Sequence, residues 1–168
     1  FDTHWHGDHT GGNAAFAKSS LIVAHDNVRR RLAEGLPASS GHARPAAPKE
    51  ALPIVTFDRG LSFHMNGEDV RATHYPHAHT DGDAVVFFPR SNVVHMGDLF
   101  VTYGLPYVDV ASGGTLRGLI DSVEKAARVV SEINETASRE GKRPIVFITL
   151  VADEAIATTV FLALTLER

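Results

Sequence analysis

The sequence predicts an α/β (α+β) sandwich and not a helix bundle. Three observations carry that expectation. Short apolar runs recur between turn residues, Asn66-Gly67 separates two of them, and one long amphipathic pattern begins near Leu116. Period-2 strands interleaved with period-3.6 helices imply a sheet covered by helices.

The elements follow in chain order. Phe1 to Gly12 reads as a polar, histidine-rich loop, and Asn13 to Lys18 as a short helix behind Gly11-Gly12. Leu21 to Ala24 reads as a short buried strand. Asp26 is placed to cap a helix through Val28 to Glu34 that Gly35 ends. Four prolines fall between Leu36 and Pro53, which makes residues 36–53 a mobile surface insertion. Strands are expected at Ile54–Phe57, Leu61–Met65 and Asp69–Tyr75, the last two joined by the Asn-Gly turn. The loop Pro76–Asp83 leads to strands at Val85–Phe88 and Val93–Met96. A loop from Asp98 to Gly114 precedes the helix. On it Leu116, Leu119, Ile120, Val123, Ala127, Val130 and Ile133 share one face. Thr115 starts this helix and Gly141 follows it. Ile145 to Leu150 reads as a buried strand, with a final helix from near Asp153.

Bulk properties exclude several function classes. The 168 residues fit one domain, 1–168, with 43% hydrophobic and 21% charged residues. A net charge of −4 supplies no basic footprint for nucleic acid. The longest apolar stretch, residues 145–166, is interrupted by Asp153 and Glu154, so no membrane span is expected. The protein reads as soluble. The chain opens on Phe1 with no signal-peptide pattern, which leaves a cytoplasmic or a periplasmic location open. Oligomeric state is not readable. With no cysteine there is no disulfide and no thiolate ligand, so any metal site must use His, Asp or Glu.

Histidine is where the chemistry concentrates. Nine of the ten histidines lie between His4 and His79, and the tenth is His95. The sharpest cluster is Thr3-His4-Trp5-His6-Gly7-Asp8-His9. In an extended segment His4 and His6 project to one side and grip one cation, while Asp8 and His9 turn toward a second. Gly7 allows the sharp turn between them. Imidazole and carboxylate together suit Zn(II), one or two ions, ahead of Fe or Mn. His79 lies in a loop between strands, with His77 as its rival, and Asp98 ends a buried strand. Trp5, Tyr103, Tyr107 and Asp109 are candidates to meet substrate. His25, His42, His64, His74 and His95 read as structural.

The H-x-H-x-D-H spacing resembles the metallo-β-lactamase superfamily. The likeness extends to Thr10-Gly11-Gly12-Asn13, His79-Thr80-Asp81-Gly82-Asp83 and Met96-Gly97-Asp98. The resemblance implies an αββα sandwich with metals in a cleft at the sheet edges. It also implies that His4, His6 and His79 hold one zinc, and that Asp8, His9 and Asp98 contribute to a second. Two departures stand out. The family's strands before the first motif are missing, and Val151-Ala152-Asp153-Glu154 stand where a last ligating His is usual. Asp153 or Glu154 is the substitute oxygen ligand this leaves, and the tail 145–168 is atypical.

The expected function is a zinc-dependent hydrolase acting on a small-molecule ester, thioester, lactone or amide. In it the metal lowers the pKa of bound water to about 7, and Asp8 orients the nucleophile or takes its proton. Three rivals are a truncated, inactive metal-binding chain, a β-lactamase of the all-His/Asp ligand type, and a diiron redox protein. The last is disfavoured because no Gly-rich phosphate loop for a flavin is visible.

Overall fold

The computed structural model describes residues 1–37, 43–141 and 146–148. Two helical turns, α1 (Gly7–Thr10) and α2 (Asn13–Phe16), precede strand β1 (Val23–His25) and helix α3 (Asp26–Glu34). Strands β2 (Val55–Phe57), β3 (Gly60–Met65), β4 (Glu68–His74), β5 (Ala84–Phe88) and β6 (Val93–His95) follow. Helix α4 (Leu116–Arg139) and strand β7 (Val146–Ile148) complete the described elements.

β1 and β2 form a two-stranded parallel pair, and the other five form one sheet in the order β3-β4-β5-β6-β7. Neighbours in that sheet run antiparallel except β6 and β7, which are parallel. The β3–β4 register pairs Met65 with Glu68 across Asn66 and Gly67. Both turn residues take positive φ, 52° and 76°, the two-residue geometry that matches strand twist.

The apolar run of β5 serves two cores at once. Val85 and Phe87 pack with Tyr75, Val94, Met96 and the α4 residues Leu119, Ala126 and Val130. Ala84, Val86 and Phe88 point to the other face, against Phe57, Val70 and Ala72. A strand covered on both sides reads as continuous hydrophobicity, not as alternation. A third cluster joins Ala24 of β1 to Val28 and Leu32 of α3, with Trp5 inserted. The layers are therefore α3, β1–β2, the five-stranded sheet and α4, as an αββα sandwich requires.

Several local expectations are corrected. Residues 7–10 coil into a helical turn instead of continuing the loop. The N-cap of α3 is His25, whose ring accepts from Asn27 N, and not Asp26. The segment 36–53 is more than a surface insertion. Leu36, Ala47 and Leu52 pack against the Trp5 cluster, Lys49–Ala51 forms a 3₁₀ turn, and Leu36 bridges to Arg44. The helix expected near Asp153 falls outside the described residues, as do Asp153, Glu154 and His42. Among the described residues no helix is long and apolar enough to cross a membrane.

Thr115 caps α4 as its sequence position predicts, accepting from Gly118 N at 2.9 Å and donating to His77 O at 3.0 Å. Replacing it with Ala is expected to lower stability by about 1 kcal/mol. Urea unfolding should show a lower midpoint with an unchanged slope.

Candidate metal centre

The first motif hangs between the two sheets. Asp2 N donates to Val23 O of β1, and Ala84 N of β5 donates to Thr3 O. Asn13 Nδ2 bonds the Asp2 carboxylate and Ala51 O, which ties α2 to the same strand edge. The α1 turn then carries Asp8 and His9 back toward His4.

The loop 79–83 is braced from three sides. Within it, Thr80 N and Oγ1 donate to the two oxygens of Asp83, whose carboxyl is pushed up to about 6 by burial. On one flank Arg31 grips Asp81 through Nε at 2.7 Å and Nη2 at 2.8 Å, a bidentate pair that fixes α3 to the loop. On the other, α4 begins so close that a Cβ on Gly118 would lie 1.9 Å from His77 O, and one on Gly114 2.3 Å from His79 O. Only glycine permits that approach.

Three imidazoles converge as a result. His6 Nδ1 lies 3.0 Å from His4 Nε2 and 2.9 Å from His79 Nε2. The opposite nitrogens of two rings meet strong acceptors. His6 Nε2 donates to Asp109 Oδ2 at 2.8 Å, and His79 Nδ1 donates to Tyr107 O at 2.8 Å. Those acceptors place the protons on the far nitrogens, so His6 Nδ1 and His79 Nε2 face each other as lone pairs. Burial, outweighing the hydrogen bond to Asp109, lowers the pKa of His6, and burial sets that of His4 well below the usual value. Unprotonated lone pairs at 2.9 Å repel unless a cation lies between them.

His9 poses a second unmet demand. Its Nε2 is buried with no well-directed hydrogen bond, although Asp98 Oδ1 is 3.1 Å and Asp8 Oδ2 3.4 Å away. Its Nδ1 meets Thr3 Oγ1 at 2.9 Å. Asp98 offers its other oxygen, Oδ2, to His79 Nε2 at 3.6 Å, so one carboxylate reaches both halves of the centre. The ligand atoms of His4, His6, His79 and Asp98 all lie within 4.8 Å of one another, as do those of His4, Asp8 and His9. These donor sets of nitrogen and oxygen fit a divalent cation such as zinc, iron or manganese.

The six expected ligand residues are thus brought together, and His79 rather than His77 turns inward. His77 is exposed, with Nδ1 near Gly113 O. Trp5 is 2% exposed and belongs to the core, but it also contributes to the wall of a groove beside His6. The Tyr107 side chain lines the same groove, whereas Tyr103 stands exposed outside it. Asp109 does not wait for substrate: it is committed to His6 and to Ser112, whose N and Oγ both bond its carboxylate. Nothing local in the sequence signals a partnership across 103 positions. His25 and His74 stack at 3.6 Å away from the centre, and exposed His64 pairs with Asp69. His95 is half-buried near His9, and its pKa is pushed down to about 4 by desolvation and that neighbour.

Comparison with known proteins agrees with this geometry. The model of the metallo-beta-lactamase superfamily matches residues 3–133. A lactamase-like protein of Pestalotiopsis microspora is 32% identical over 109 residues, 64% of this chain and 28% of that protein. A stretch of 38 residues, 23% of the chain, is 66% identical to 14% of a phosphoenolpyruvate synthase regulatory protein of Methylibium petroleiphilum. Among solved structures, a metallo-beta-lactamase from Pontibacter korlensis superposes with TM-score 0.58 at 17% identity, covering 88% of this chain and 58% of that one. TTHA1623 in a di-iron-bound form superposes with TM-score 0.61 at 20% identity, covering 90% and 68%. The chain therefore spans a small part of the two curated relatives' length and just over half of the Pontibacter protein.

Two outcomes follow from the hydrogen bonding. Asp109→Asn should weaken metal affinity by about 10–100-fold, since the carboxylate that orients His6 is lost; competition with a chromophoric chelator measures this. His9 is pushed up to about 9 because Asp8 and Asp98 together outweigh its burial. A raised imidazole pKa stabilises the metal-free fold fully below the ordinary value of 6.5 and ceases to do so as pH rises through about 9. A cation taking His9 must expel that proton. Calorimetry at neutral pH in buffers of different ionisation enthalpy should show proton release, and affinity should climb up to about pH 9.

Proposed function

Because the chain belongs to the metallo-beta-lactamase superfamily, we propose that it is a zinc-dependent hydrolase that cleaves an ester, thioester, lactone or amide. The observation that supports this most directly is the facing pair of unprotonated nitrogens on His6 and His79, with an Asp98 oxygen directed at each half of the centre. His4, His6, His79 and Asp98 would hold one cation, and Asp8, His9 and Asp98 a second. Bound there, a divalent cation supplies activation of water near neutral pH and polarisation of the scissile carbonyl.

The chain's own residues then divide the remaining work. Asp8, lowered to about 2 chiefly by the neighbouring His9 imidazole, is ionised throughout the physiological range. A carboxylate held that low is a firm hydrogen-bond acceptor and a weak base. Its role is to accept from the attacking water and aim it, more than to keep its proton. Its side chain is 46% exposed, so water reaches it. Asp109 keeps His6 in one tautomer, and the Tyr107 carbonyl does the same for His79, so neither ring reorients during turnover. Tyr107 and Trp5 flank the groove through which the acyl group reaches His6.

The di-iron form of TTHA1623 favours a second reading for the metal, in which iron occupies the same ligands. Elemental analysis of protein purified without added metal separates the two.

A panel of activated esters, thioesters and lactones tests the proposal. Hydrolysis should need metal and cease with a chelator. His4→Ala and His79→Ala should abolish it, and Asp8→Asn should cost about 10²–10⁴-fold in kcat. His64→Ala, on an exposed strand position, should match the parent. A metal-loaded, folded protein with no hydrolytic turnover on any of these classes overturns the reading.

A further inference from the structure

One cation beside the centre has no partner that explains it. Two arginines flank the Trp5 ring, Arg44 at 4.9 Å and Arg31 at 5.9 Å from its centroid. Arg31 is neutralised by the bidentate grip on Asp81. Arg44, half-buried in the same wall, forms no ion pair with any carboxylate among the described residues. Among the described residues its fixed contacts are neutral: Nη1 donates to Trp5 O and Nη2 donates to Thr10 Oγ1 at 2.9 Å. Burial lowers its pKa, opposed only by the field of Asp8.

Its position explains what such a cation is for. A guanidinium carries five N–H donors, and two are engaged here. The side chain is therefore held in one orientation, stacked on an aromatic face, with donors to spare. It lines a groove of about 390 Å³ together with His6, Tyr107, Asp109 and Leu36. The carbonyl it binds belongs to the residue next to His6. Keeping a half-buried charge without a counter-ion is costly, and the groove that Arg44 lines gives an anionic group a way to reach it. Asp109, the other charged wall residue, is already committed to His6 and Ser112.

We propose that Arg44 is the specificity residue of this centre and recognises a carboxylate on the substrate. A singly charged carboxylate matches one guanidinium fork, whereas a phosphate dianion would find no second cation on this wall. The substrate class that follows is an acyl compound bearing a carboxylate at its other end. That substrate assignment rests on the hydrolase reading, but the binding assignment does not.

The test uses Trp5, the only tryptophan in the chain, as its reporter, because Arg44 stacks on its ring. Zinc-loaded protein is titrated with glutarate, with the neutral glutaramide, and with inorganic phosphate, following intrinsic fluorescence. Glutarate should saturate the signal, with glutaramide and phosphate at least about tenfold weaker, the worth of a charge-assisted hydrogen bond. Arg44→Gln should lose the glutarate preference, and Arg44→Lys should retain part of it. Equal responses to glutarate and glutaramide in the parent overturn the proposal without any variant. So does stronger binding of phosphate, or a glutarate response that survives Arg44→Gln and disappears only on removing zinc. In a second measurement, kcat/KM for mono-p-nitrophenyl glutarate relative to p-nitrophenyl valerate should fall at least about tenfold in Arg44→Gln. If neither ester is cleaved by the parent, the assignment of a carboxylate-bearing ester as substrate fails, while the fluorescence titration still decides the role of Arg44 and the wider panel decides the hydrolase reading.

Discussion

The whole arrangement depends on forcing two imidazole lone pairs to face each other at hydrogen-bond distance. Left free, one ring would rotate or flip tautomer and the repulsion would vanish. Neither can. Asp109 holds the proton of His6 on Nε2, and the Tyr107 carbonyl holds that of His79 on Nδ1. Much of the surrounding structure keeps those two acceptors and two rings in place. Ser112 fixes Asp109, Arg31 and Asp83 brace the 79–83 loop, and the glycines at the start of α4 let its backbone rest on the His77 and His79 carbonyls. Buried polar groups normally find partners, and here the pattern of partners leaves the two inward-facing nitrogens suited to positive charge.

The layers supply rigidity and the loops supply ligands, a common division of labour. His4 and His6 lie on a segment tied at one end to β1 and β5, where the two sheets approach. His79 and Asp98 follow β4 and β6 of the larger sheet. Three chain segments therefore meet at one end of the sheet although they are far apart in sequence. Their relative placement depends on core packing on both faces of β5, through Val85 on one side and Val86 on the other.

How much of this was legible varied with the range of the interaction. The hairpin at Asn66-Gly67, the cap at Thr115 and the ligand spacing His4, His6, Asp8, His9 are local patterns, and each is found within a residue or two of where it was expected. The choice of His79 over its neighbour His77 came from the family likeness, because alternation alone cannot say which of two loop residues turns inward. Asp109 was seen only as a residue able to meet substrate. Its bond to His6 is a tertiary fact, and the one available hint was Ser112 three positions on, placed to form a turn with it. The proline-rich segment misled for a related reason. Proline and alanine mark irregular backbone, but irregular backbone packs when Leu36, Ala47 and Leu52 are there to pack. Arg44 lay hidden in that stretch.

Asp98 has one oxygen beside His79 and the other beside His9, and the two neighbourhoods differ in protonation. On one side His4 and His6 hold no proton for a cation to displace. On the other, His9 does. The two positions are thus not equivalent: a cation at His9 would have a proton to displace, and one among the three histidines would not. The two sides of one carboxylate therefore differ in what a change of acidity would do to them, and the His9 side is the more responsive.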